Sequence, residues 1–168
     1  MEESKESTKI KLITKEGKEI EISKKAAELS DLLKQTINDF PEEEKFPLKE
    51  IDEKNALKIK EYLTHFNGIA PPEIEKPLIS NNLKDITDEW SADFLYKMSL
   101  EEIINLNIAA NYMGIYCLLD LCCAKIATLL KDKSEEEVLK EFNITEPLTE
   151  EEKNKIREEN KWIKEIFQ

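Results

Sequence analysis

The sequence predicts an α+β fold, a small β-structure followed by helices, with an all-helical second half. Three observations carry that prediction. Ile10 and Leu12, and then Ile20 and Ile22, alternate with charged residues on either side of Glu16-Gly17, the period of a half-buried β-hairpin. From Trp90 onward, apolar residues recur at helical spacing with little interruption. Ser99, Ser134 and Thr149 each stand three residues before a glutamate (Glu102, Glu137 and Glu152), the capping-box pattern that opens a helix.

Taken in order, residues 1–8 are polar and predict a flexible tail. Strands are expected over Lys9–Thr14 and Lys18–Ile22, with Gly17 at the turn because glycine tolerates positive φ. A helical stretch begins at Ser23, with Ala26, Ala27, Leu29, Leu32, Leu33 and Ile37 at helical spacing. Within it Ser30 is placed to cap a separate helix. Glu42–Glu44 form an acidic, solvated loop, and Phe46–Leu48 a short strand. Asp52 caps a helix whose apolar stripe is Ala56, Ile59, Leu63 and Phe66, and Gly68 stands at its C-cap position. The stretch 69–89 contains Pro71, Pro72 and Pro77 and is expected as a mobile insertion loop.

After the cap at Ser99 comes a helix apolar nearly all round, with Ile103, Ile104, Leu106, Ile108, Ala109 and Ala110, and Gly114 ends it. The next, Ile115–Lys131, is similarly apolar and is expected to be covered on every side, by core or by a partner. Two further helices are expected at Ser134–Phe142 and Thr149–Phe167, separated by Pro147. The last has only Ile156, Trp162, Ile163, Ile166 and Phe167 as large apolar residues and needs something to lie on. The expected organisation is a tail over 1–8, a domain over 9–131 and a helical extension over 132–168.

Composition narrows the function. The chain has 168 residues, 37% of them charged, and a formal net charge of −12. An acidic excess of that size repels phosphate backbones and anionic lipid, so neither nucleic acid nor a membrane is an expected partner. The 3 glycines are too scattered for a phosphate-cradling loop. With 1 histidine, His65, histidine-dependent triads and multi-histidine metal sites are hard to assemble from the chain. No catalytic residue, cofactor or metal is expected. Three cysteines and a polar, mixed-charge start point to a reducing compartment, the cytoplasm and nucleus.

Individual motifs give the same direction. Cys117, Cys122 and Cys123 lack the paired C-x₂₋₄-C spacing of structural zinc and are expected as free thiols packing like small hydrophobes. His65 is expected at a helix end. Asn143-Ile144-Thr145 matches the glycosylation pattern, which is discounted in a chain without a secretory signal. Ser99, Ser134 and Thr149 sit in a context that acidophilic kinases favour, but helix capping accounts for the pattern. What stands out is apolar surface in the second half without any catalytic constellation.

Those residues also carry a family resemblance. Leu106–Asp120 (LNIAANYMGIYCLLD) resembles the signature helix pair of the S-phase kinase-associated adaptor family. Glu135–Ile144 (EEEVLKEFNI), Leu148–Glu152 (LTEEE) and Ile156–Trp162 (IREENKW) are similar to it in the same order. The opening hairpin and Trp90 with Phe94-Leu95 also match. The resemblance implies a BTB/POZ-type domain with a C-terminal helical extension. It implies a non-enzymatic adaptor of SCF-type ubiquitin ligases that bridges F-box proteins to a cullin. On this reading Asn111, Tyr112 and Ile104 face the cullin. Leu119, Ile126, Leu129, Leu130, Val138, Phe142, Ile144, Trp162 and Ile163 face the F-box protein. The alternative is a self-associating BTB-type module without a cullin role, since the same apolar surface could pair two copies when no F-box protein is bound. The chain departs from the family pattern at Gly114 and Tyr116, beside the Asn-Tyr pair. It departs again after Trp162, and at Glu150, where some members carry a modifiable proline.

Overall fold

The computed structural model of the protein describes residues 9–145 and 148–161. The chain divides into two compact units, residues 1–129 and 130–168.

In the first unit the hairpin forms as its alternation requires. β1 (Lys9–Ile13) and β2 (Glu19–Ser23) pair antiparallel, with Ile10 opposite Ile22 and Leu12 opposite Ile20. All four side chains are buried on one face, while Lys11 and Glu19 pair on the other at 2.9 Å. Gly17 turns the chain at φ 80°, and its N–H donates to the Thr14 carbonyl. β3 (Lys45–Pro47) lies parallel to β1 with Phe46 beside Leu12, giving the order β2-β1-β3. Pro47, which has no N–H to give a ladder, is tolerated because β3 is an edge strand.

Between β2 and β3 run α1 (Lys24–Ala27), capped by Ser23, and α2 (Asp31–Asp39), capped by Ser30. Ser30 does more than cap. Its hydroxyl accepts from the Leu33 N–H at 3.2 Å and donates to the Met113 carbonyl at 2.6 Å, and the residue is fully buried. α3 (Glu53–Phe66) is capped by Asp52 and buries Ala56, Ile59, Tyr62 and Leu63 against β2, α1 and the later helix Leu100–Met113. Its C-cap is Asn67 in the left-handed region at φ 44°, one residue before the expected Gly68. Gly68 is needed for a different reason: at φ 82° its missing Cβ would stand 2.6 Å from the Lys25 carbonyl oxygen.

Within the stretch 69–89, a 3₁₀ turn at Leu83–Asp85 buries Leu83, whose N–H donates to the Tyr96 hydroxyl at 3.1 Å. Ile74 and Leu78 pack against the core, and Lys76 pairs with Asp120 at 3.1 Å. α4 (Glu89–Tyr96) follows. Its Trp90 stacks on His65, with ring centroids 3.6 Å apart and planes 3° from parallel.

α5 (Leu100–Met113) opens with the expected capping box and closes at Gly114, φ 63°. The N–H groups of Gly114 and Ile115 return to the carbonyls of Asn111 and Ala110, the paired closing bonds of a Schellman motif. Its apolar residues are not buried all round. Ile103, Leu106, Ala109, Ala110 and Met113 face the core, whereas Ile104, Ile108 and Tyr112 are exposed. α6 (Tyr116–Leu130) likewise buries Leu118, Leu121, Cys122 and Ala124 but leaves Tyr116, Cys123 and Leu130 open to water. Of the cover expected for it, by core or by a partner, the core supplies one stripe.

The second unit contains α7 (Glu135–Glu141) and α8 (Glu150–Glu159), each opened by its expected capping box. Asn143, at φ 51°, and Ile144 close α7 by returning their N–H groups to Lys140 and Leu139. The Asn-Ile-Thr pattern is therefore a helix terminator. α8, expected to continue to Phe167, ends at Glu159. Asn160 turns its side-chain amide to the Ile156 carbonyl at 2.8 Å, competing with helical continuation. Trp162, Ile163, Ile166 and Phe167 lie outside the described residues.

Candidate interaction surfaces

The exposed side of α5 is a row at four-residue spacing: Ile104, Ile108 and Tyr112, with Ile108 63% and Tyr112 42% exposed. Residues four apart on a helix lie one above the other, so these three form one apolar ridge, with Asn105 and Asn111 exposed beside it. A shallow groove runs alongside, lined by Ile108, Tyr112 and Asn105 from α5, by Asn55 and the cap Asp52 of α3, and by Glu50 in the turn before it. Structure thus brings together all three residues expected on one face, Ile104, Asn111 and Tyr112. It adds Ile108, which had been assigned to an all-round apolar helix. The signal for Ile108 was present in the sequence as the midpoint of the interval from 104 to 112.

The ridge is held in place from both ends. At its start, the Ser99 N–H donates to Glu102 at 2.7 Å, and Lys54 of α3 pairs with the same carboxylate at 2.9 Å. The hydrogen bond from Lys54, followed by that from the Ser99 N–H, holds the Glu102 carboxyl down at about 2. At its end, Ser30 binds the Met113 carbonyl and the Asp31 N–H donates to the Gly114 carbonyl at 3.2 Å. The N-terminus of α2, which presents free N–H groups, thereby meets the C-terminus of α5, which presents free carbonyls.

On α6, Leu119 and Ile126 are half-buried and pack against the core with their outer edges free, and Leu129 is also half-buried. Exposed Cys123 lies between them. In the second unit Val138 and Phe142 are half-buried, while Leu130 is 38% and Ile144 48% exposed. Among the described residues of this unit none is buried. Trp162 and Ile163, expected on the same side, are outside the described residues.

Several ionisable groups elsewhere are engaged in structure. Glu19 is held at about 2 by hydrogen bonds from Lys45 and then Lys11. The capping glutamates Glu137 and Glu152 are held below the ordinary carboxylate range by the backbone N–H groups of Ser134 and Thr149. Burial pushes the Cys122 thiol up to about 12. Among the described residues no three His, Cys, Asp or Glu side chains gather to hold a metal ion, and no helix is long and apolar enough to cross a membrane.

A three-stranded sheet closed by a parallel edge strand, a helical cluster packed on it, and a helical C-terminal region define a POZ-class α+β protein. Two family profiles match. Residues 8–68 match the Skp1 family tetramerisation domain, and residues 116–163 the Skp1 family dimerisation domain. An S-phase kinase-associated protein 1 homolog of Tetrahymena thermophila is 44% identical over 159 residues, covering 95% of this chain and 96% of that protein. The SCF subunit sconC of an E3 ubiquitin ligase complex in Arthroderma benhamiae is 34% identical over 160 residues, covering 95% and 97%. Its counterpart in Aspergillus fumigatus is 34% identical over 159 residues, covering 94% and 99%. The chain belongs to the Skp1 family.

Proposed function

We propose that the protein is a non-enzymatic adaptor of an SCF-type ubiquitin ligase, working in the cytoplasm and nucleus to bridge F-box substrate receptors to a cullin. The observation that carries this reading is the ridge Ile104–Ile108–Tyr112, apolar side chains held open to water on a helix fixed at both ends. A fixed apolar ridge beside a polar groove suits a protein partner, because such side chains gain most when a partner removes them from water. The cullin takes this side, with Asn111 and Tyr112 at its centre. The F-box protein takes the outer residues of α6 (Leu119, Ile126 and Leu129) and the apolar residues of the extension (Leu130, Val138, Phe142, Ile144, Trp162 and Ile163). The mechanism is positional: joining receptor and scaffold raises the effective concentration of substrate at the ligase.

Tyr112→Ala, measured by calorimetry, is expected to weaken cullin binding by about 2 kcal/mol while leaving F-box binding intact. Trp162→Ala should show the converse pattern. If either variant retains both partners at full affinity, the corresponding face is misassigned. A second reading is supported by the family profile over residues 116–163, which is described as a dimerisation domain. Two copies pair through the extension when no F-box protein is present. Sedimentation with added F-box peptide separates the readings, since a shared surface makes the peptide dissociate the dimer.

A further inference from the structure

The groove beside the α5 ridge combines apolar Ile108 and Tyr112 with two carboxylates, Glu50 and Asp52, and two carboxamides, Asn55 and Asn105. Among the described residues that line it there is no lysine or arginine. Lys54 of α3 is paired with Glu102 instead, at 2.9 Å. The lining therefore leaves its negative charge uncompensated. It also leaves acceptors open. Asp52 accepts from the backbone N–H and the side-chain amide of Asn55, at 2.7 and 3.1 Å, one bond on each oxygen, and a carboxylate oxygen can take two. With its amide nitrogen turned to Asp52, Asn55 has its side-chain oxygen left to offer. Glu50 is exposed.

Negative charge, several acceptors, hydrocarbon and an aromatic ring in one groove define what fits it. An anionic side chain is repelled. Lysine supplies the charge, but as a single point. Arginine supplies everything the lining lacks: a fixed positive charge, a planar fork of N–H donors, an apolar stem and a face that stacks on aromatic rings. We propose that the groove receives one arginine of the partner that docks on the ridge, with its stem along Ile108 and Tyr112 and its guanidinium between Glu50 and Asp52. The inference rests on the cullin reading of the α5 ridge and adds what that partner must carry, a basic anchor beside its apolar contact. A second copy is a poor donor. The chain's one arginine, Arg157, donates to Asn154 within α8 at 3.0 Å, and two copies each carrying −12 repel.

The test titrates the full chain into the cullin by calorimetry at several salt concentrations, beside the double variant Glu50→Gln, Asp52→Asn. Asparagine caps a helix as well as aspartate does, so the variant removes charge and keeps α3. It should bind about tenfold more weakly and with a shallower salt dependence. Should the double variant melt lower than the parent, Glu50→Gln decides alone, with a loss of about threefold or more. Phenylglyoxal, which modifies arginine, then identifies the anchor by mass spectrometry: one cullin arginine should be protected by the parent chain and reactive with the variant. Equal affinity and salt dependence for parent and variant would overturn the inference, as would a complex that protects no cullin arginine. Tyr112→Ala keeps the two failures apart. If it weakens the cullin and the charge variant does not, the ridge stands and the anchor falls; if neither does, the docking face itself is misassigned. Sedimentation in which the chain alone associates and the charge variant does not would make a second copy the occupant, and that too refutes the inference.

Discussion

Ser30→Ala tests how the exposed ridge of α5 is held. The hydroxyl makes two hydrogen bonds, from Leu33 N–H at 3.2 Å and to Met113 carbonyl at 2.6 Å, at a site with no exposure. Alanine removes both. Loss of the α2 cap costs about 1 kcal/mol. Loss of the side-chain donor to a buried carbonyl costs about 1–3 kcal/mol. Together the expected destabilisation is about 2–4 kcal/mol, read in urea unfolding as a lower midpoint with unchanged slope. The matching fall in Tm is about 5–15 °C for a chain of this size. Ser30→Gly separates the two contributions, because glycine at an N-cap costs only a few tenths of a kcal/mol. It should therefore lie about 1 kcal/mol above the alanine variant. A loss below about 0.5 kcal/mol for Ser30→Ala, the range of ordinary surface changes, would refute the reasoning. Because Met113 directly follows Tyr112, the variant should also weaken the partner that docks on α5 at temperatures where it remains folded.

Gly114→Ala places a side chain at φ 63° with its Cβ 3.0 Å from the Asp31 Cβ. It is expected to cost about 1–2 kcal/mol in urea melts from the left-handed backbone alone, and a neutral result would show that the junction can relax. For Glu102, the carboxyl is lowered from 4.5 to about 2 in the folded protein. The folded state therefore binds the proton less well than the unfolded one. Its stabilisation is present above pH 4.5 and is lost as pH falls toward 2. Glu102→Gln should accordingly flatten the acid limb of a stability–pH curve, and an unchanged limb would contradict the assignment. Burial raises the Cys122 thiol to about 12, so at neutral pH a disulfide reagent should modify exposed Cys123 and leave Cys122 until urea unfolds the chain. Rapid labelling of Cys122 in the native protein would count against its burial.

Much of this architecture was legible in the sequence because it rests on local signals. The alternation of Ile10, Leu12, Ile20 and Ile22 set both strands and their register. All three capping boxes formed, since each needs only residues three apart. What eluded local reasoning were relations between distant segments. Ser30 was readable as a cap, but its bond to Met113, 83 residues away in sequence, is set by packing. The same holds for Gly68. Its neighbourhood suggested a C-cap, yet Asn67 supplies the left-handed turn, and Gly68 is required by a carbonyl from α1 that local sequence cannot reveal. Tyr62 fell outside the 3-4-3 stripe assigned to α3, yet it is fully buried.

The surplus apolarity of α5 and α6 has a physical consequence that bears on function. Mean apolarity along a helix does not say whether the surrounding fold is thick enough to cover it. Here α5 packs against α3 and α2 and buries one stripe. A helix more apolar than one stripe must then leave the remainder in water. That remainder is Ile104, Ile108 and Tyr112 on α5 and Tyr116 and Cys123 on α6. Left alone, such surface favours association, and two features oppose it. The acidic excess keeps molecules apart at long range. Asn105 and Asn111 flank the ridge on α5, so a mate must offer hydrogen bonds as well as apolar area. A surface that resists indiscriminate sticking yet rewards a matched partner is what bridging two proteins requires. The residues that supply it are the ones a purely core-directed reading of these helices would have buried.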